Sequence, residues 1–172
     1  MDIQRTLDWY ESAAKYFDCY KILISLGYIK QSYNLLHTSI EKFLKLFISL
    51  KSSLTEDELK NKYGHNINKL FVDSKLNINQ FNFLRNICAK LIYTDMRYEF
   101  DAAVNELCSA NSKLDEEIKN LSKTIILEIN SAHNCTLRID YWPERRPDST
   151  SKQEFLKEVL LGKDNVARIE FN

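Results

Sequence analysis

From Tyr28 to Leu50 the chain reads YIKQSYNLLHTSIEKFLKLFISL, and this stretch decides the fold. Tyr33, Leu36, Ile40, Phe43, Leu44 and Phe47 recur at helical spacing, while Leu35, Leu46 and Leu50 widen the apolar arc beyond what one neighbour can cover. Such a helix belongs at the centre of a bundle, or meets a second subunit as well. Working outward, a helix from about Ile3 to Leu26 precedes it and stops at Gly27, a natural left-handed terminus.

Downstream, Thr55 and Glu58 read as a capping box for a short helix through Lys62, and a second short helix spans about Asn66 to Val72. A strong helix is expected from about Asn79 to Phe100, with Phe81, Leu84, Ile87, Cys88, Leu91 and Ile92 on one side. The last long helix, about Asp101 to Asn130, carries Val104, Leu107, Asn111, Leu114, Ile118, Leu121 and Ile125 at alternating steps, a narrow coiled-coil-like seam. Asn111 on that seam reads as a register device. After Ser131 the pattern changes. Cys135, Leu137, Ile139 and Tyr141 alternate as in a strand, and Val166 to Phe171 alternates again. A short helix near Lys152 to Leu161, ended by Gly162, lies between.

The expected fold is therefore all-α, a set of packed helices over residues 1–132. Residues 133–172 form an extension in which two short strands pair. Composition agrees, because 172 residues with 44% hydrophobic content, 3 Gly and 2 Pro favour one domain of long helices.

Formal net charge is zero, with 24 basic and 24 acidic residues, so no whole-protein field draws in nucleic acid or membrane. A phosphate partner then requires a local site, and duplex DNA is not expected. Cys19, Cys88, Cys108 and Cys135 form no C-x-x-C pair, which argues for reduced, buried packing residues and against a metal or redox centre. The start carries Asp2, Arg5 and Asp8 where a signal peptide needs an apolar run, and Ile40 to Leu50 is broken by Glu41, Lys42 and Lys45. A cytoplasmic protein without membrane association or cofactor is expected.

The chemical signal lies on the helix from Asn79 to Phe100. There Asn86, Lys90, Tyr93 and Arg97 recur at spacings that gather them on the face opposite the apolar stripe, with Arg85 beside them. Cations, an amide and a phenol in one strip suit a phosphate and a stacked base. The same spacing also describes an ordinary solvated face. On the central helix His37, Glu41 and Lys45 follow i, i+4, i+8 spacing, read here as a surface ladder whose Glu41–Lys45 pair contributes about 0.2–0.5 kcal/mol. His37 and His65 lack a third ligand with metal-site spacing, and His133 sits near a helix end, where a cation is favoured.

The order Gly27-Tyr28, then Ile40-Glu41-Lys42-Phe43-Leu44-Lys45, then His65-Asn66-Ile67 with Leu70, then Tyr93 and Arg97-Tyr98, resembles the HEPN domain family. Members of that family tend to show a Gly-aromatic break, an A-x-E-K-x-x-K-like helix, an H-x-L turn and a late R-Y pair followed by proline. Ile40 here replaces a small residue, Ile67 replaces leucine, and Glu99 stands in the proline position. The resemblance covers about Leu7 to Phe100. It implies an antiparallel up-and-down helical bundle of four to five main helices, frequent homodimers, and association with nucleotides, RNA or a partner nucleotidyltransferase, with Gly27, Glu41, Lys42, Lys45, His65 and Tyr98 as structural residues.

HEPN proteins that cleave RNA commonly carry arginine, a polar residue, a few variable residues and then histidine. Here Arg85 and Asn86 are present and Lys90 takes the histidine position. An unperturbed lysine titrates near about 10.4 and is protonated at neutral pH, so it grips a phosphate but does not take a proton from a 2′-hydroxyl. Three readings follow: a phosphate-binding module using Arg85, Asn86, Lys90, Tyr93 and Arg97; a metal-independent endoribonuclease of the toxin–antitoxin type using Arg85, Asn86 and Lys90; and a structural partner that buries the apolar second helix and the seam from Val104 to Ile125 against another chain.

Overall fold

A computed structural model describes residues 2–90, 111–138 and 168–170. Six helices run through these residues: α1 (Ile3–Ser25), α2 (Ile29–Ser52), α3 (Glu56–Tyr63), α4 (Ile67–Ser74), α5 (Asn82–Lys90) and α6 (Asn111–His133). Two three-residue strands follow, β1 (Thr136–Arg138) and β2 (Arg168–Glu170), paired antiparallel with Leu137 opposite Ile169. The architecture is an all-α bundle. The expected strand pairing occurs over this shorter span, and the expected helix at residues 152–161 lies outside the described residues.

Local chemistry sets the boundaries. Asp2 caps α1 by accepting the Arg5 N–H at 2.9 Å, and Gly27, at φ +82°, turns the chain between α1 and α2. The Thr55–Glu58 capping box is complete in both directions at the start of α3. Gly64 ends α3 at φ 54°, ψ −120°, a conformation that side chains with a Cβ avoid, and Asn66 then caps α4 through the Lys69 N–H at 2.9 Å.

α2 packs against α1, α3, α4 and α6. Consequently every residue from Ser39 to Ser49 except Lys42 is buried. Of the two settings open to so wide an apolar arc, the centre of the bundle accounts for it within a single chain. The side chains of Tyr10, Phe17, Tyr20, Tyr33, Leu36, Ile40 and Phe43 form its packed interior. Leu114, Ile118, Leu121, Ile125 and Ile129 of α6 are fully buried in the same core. The described part of the seam therefore points inward against this chain's own helices. Val104 and Leu107 lie outside the described residues. No helix among the described residues is long and apolar enough to cross a membrane.

Candidate functional site

α5 is held from both ends of its sequence neighbourhood. Asn77 sets the approach, its carbonyl accepting the N–H groups of Gln80 (3.1 Å) and Phe81 (3.2 Å) and its side chain accepting that of Asn79 (3.0 Å). Phe81, Leu84, Ile87 and Cys88 then sink into the core. The first-turn amides of a helix have no partner inside it. Here the Glu117 carboxylate of α6 takes them, with Oε1 3.1 Å from the Phe83 nitrogen and Oε2 2.5 Å from that of Leu84. A buried anion at the positive end of the helix dipole is doubly favourable. Sequence spacing does not reveal Glu117 in this role, because the contact crosses more than thirty residues.

With its apolar face buried and its first turn tied to α6, α5 presents Asn82, Arg85, Asn86 and Ala89 to solvent. Arg85 is exposed, and among the described residues no carboxylate pairs with its guanidinium. Asn86 is exposed next to it. Lys90 is the last described residue of α5, while Tyr93, Arg97 and Tyr98 lie outside the described residues. The described part of the strip thus offers a cation and an amide.

The ladder on α2 is not a surface ladder. His37 is 2% exposed, and Glu41 and Lys45 are each 8% exposed, so the expected solvated ion pair is instead a buried one. Burial follows from the position of the ladder, which faces the α3–α4 turn rather than water. Lys45 Nζ donates to Glu41 Oε1 at 2.6 Å and to the Gly64 carbonyl at 2.8 Å. Glu41 Oε2 lies 3.0 Å from His65 Nδ1 and 3.6 Å from His37 Nδ1. Burial holds the His37 imidazole below its ordinary pKa and so favours the neutral ring, although the Glu41 carboxylate opposes this. His65 itself keeps most of its side chain in solvent.

Lys42, on the other side of the helix, donates to Ser12 Oγ at 2.8 Å and stands over the Tyr16 ring, fastening α2 to α1. Gly27, Glu41, Lys42, Lys45 and His65 thus make their contacts within the bundle.

A concavity of about 630 Å³ lies elsewhere, between the start of α1, the α2–α3 connection and the end of α6. Arg5 and Glu56 form an exposed ion pair of 3.1 Å there, and His133 Nε2 lies 3.1 Å from Thr6 Oγ1. Neither Arg85 nor Asn86 lines it. No group of three His, Cys, Asp or Glu able to hold a metal ion occurs among the described residues. Burial raises the Cys19 thiol to about 11 and pushes Cys88 up as well, which leaves both as unreactive thiols. Cys135 is half-buried rather than buried, its Sγ 3.8 Å from Asn130 Oδ1, and Cys108 lies outside the described residues.

No protein-family model matches the chain, and neither a curated protein nor a solved structure matches it significantly.

Proposed function

We propose that this chain is a HEPN-type helical binding module of the cytoplasm that holds a phosphate of a nucleotide or RNA on the exposed face of α5 without cleaving it. The observation that carries this reading is Arg85: an exposed guanidinium with no carboxylate partner among the described residues, on a helix whose first turn is fixed by Glu117. A guanidinium left uncommitted on a rigid support retains its full fork of donors for an oxyanion. Asn86 adds an amide beside it, and the strip continues in the sequence through Lys90, Tyr93 and Arg97.

The HEPN resemblance gains support from the way its scattered residues meet, since Glu41, Lys45, Gly64 and His65 form one hydrogen-bonded unit. It extends the proposal to a homodimer and to a nucleotidyltransferase partner. Lysine at position 90, in place of an imidazole, favours holding RNA over cutting it.

Calorimetric titration with ATP and with a single-stranded RNA tests the reading. Arg85→Ala is expected to weaken both by about tenfold or more while leaving the melting temperature unchanged, a charge-assisted hydrogen bond contributing about 1.5–3 kcal/mol. Wild-type affinity in Arg85→Ala, or RNA degraded by purified wild-type protein, would remove it.

A further inference from the structure

The chain is neutral as a whole, yet residues 60–90 hold six Lys or Arg and a single acid, Asp73. This segment is α4 with the end of α3 and all of α5, and α4 packs against both of those helices. Basic charge is therefore concentrated on one run of adjoining helices.

Within it, Lys62 and Lys69 are brought together by the fold. Both ammonium groups stand over the ring of Tyr63, at 4.8 Å and 5.5 Å from its centroid, although one lysine comes from α3 and the other from α4. Lys69 Nζ also donates to the Lys62 carbonyl at 3.1 Å. Their one counter-charge is Asp73, 3.4 Å from Lys62 Nζ and already accepting the Tyr63 hydroxyl at 2.9 Å. Lys60, Lys69 and Lys75 have no ion pair among the described residues, and all are exposed. Two like charges over one ring, with a single carboxylate between them, leave net positive charge at a fixed place on the surface.

α3, α4 and α5 are each about 12–14 Å long in their described spans and pack in sequence, so cations distributed over all three helices are spread more widely than one phosphate group reaches. From this placement we infer that the ligand is a polynucleotide, a single-stranded RNA whose backbone runs from Arg85 across α4 to a second phosphate subsite at Lys62 and Lys69. The inference rests on the phosphate-binding reading of α5 and deepens it. A mononucleotide engages the Arg85 end alone; a chain of phosphodiesters engages both ends.

The experiment measures binding of a labelled single-stranded RNA by fluorescence anisotropy over a series of salt concentrations, and of ATP by calorimetry. Three proteins are compared: wild type, Lys62→Gln/Lys69→Gln and Arg85→Ala. Glutamine keeps an unbranched polar side chain at each position and removes the charges. In the double variant RNA affinity is expected to fall about tenfold or more and the salt slope to shrink by about 1.4, two released counterions at about 0.7 each, with ATP affinity unchanged. In Arg85→Ala both ligands weaken. RNA affinity and salt slope unchanged in the double variant, with Arg85→Ala still impaired, overturn the second subsite and leave the α5 reading standing. Binding of neither ligand by the wild-type protein overturns both.

Discussion

Glu41 Oε2 stands 3.0 Å from Nδ1 of His65, joining the middle of α2 to the turn between α3 and α4. The other oxygen of the same carboxylate holds Lys45 at 2.6 Å, so one buried side chain organises two elements. Lys45 completes the unit on the Gly64 carbonyl.

Removing Glu41 strands the Lys45 ammonium in the interior with a single carbonyl for company. Glu41→Ala is expected to lower unfolding free energy by about 3–5 kcal/mol in urea titrations. His65→Ala, at a side chain mostly in solvent, is expected to lose about 1 kcal/mol. Equal losses for the two would show that the carboxylate acts chiefly through His65.

A second expectation concerns pH. Burial lifts the Asp18 carboxyl to about 7, and its Oδ2 has no hydrogen-bond partner among the described residues. The folded protein then holds a proton that the unfolded chain releases near the ordinary carboxylate pKa. The contribution of this group to stability is fullest below about 4, falls as pH rises towards 7, and levels off above it. Asp18→Asn is expected to flatten this decline and to melt higher than wild type at pH 8, by an amount on the order of 4 kcal/mol. His37, held low by burial, acts in the opposite sense, its contribution being lost as pH drops below its ordinary value. The difference between variant and wild-type profiles isolates Asp18, and identical slopes between pH 4 and 7 would refute its assignment.

Glu117 is expected to govern the first turn of α5. Glu117→Ala leaves the Phe83 and Leu84 amides without their acceptor, at a loss of about 2 kcal/mol. Hydrogen exchange followed residue by residue should accelerate at these two amides more than elsewhere in the chain. Protection retained there would mean that another group takes over the cap.

The inward direction of the α6 seam separates packing from association. Leu121→Ala is expected to reduce stability by about 2–5 kcal/mol through the cavity it leaves. Its molar mass by light scattering at a folded concentration should equal that of the wild-type protein. A shift in oligomeric state without loss of stability would point to a seam exposed between chains.

What the sequence revealed and what it concealed divide by range. The Thr55–Glu58 box, the stop at Gly27 and the alternate steps from Leu114 to Ile125 are local, and each stands where its spacing put it. The ladder His37, Glu41, Lys45 was legible as a ladder but was assigned to water, since charge is a reliable sign of exposure only when a helix has a free side. α2 between Ser39 and Ser49 has almost none, so its charged row had to be buried against the one neighbour able to satisfy it, the turn at Gly64 and His65. Glu117 and the meeting of Lys62 with Lys69 over Tyr63 are tertiary, and no periodicity within one helix encodes them. Arg85 and Asn86 were legible as an exposed pair because the apolar positions of α5 fix the opposite face.

The cap on α5 also sets an order of events during synthesis. Its acceptor enters the chain 34 residues after Phe83, so a nascent chain has no Glu117 to offer until synthesis has passed that position. Arg85 therefore acquires its fixed bearing late, and a truncated product ending before position 117 carries the cationic sequence without the means to aim it.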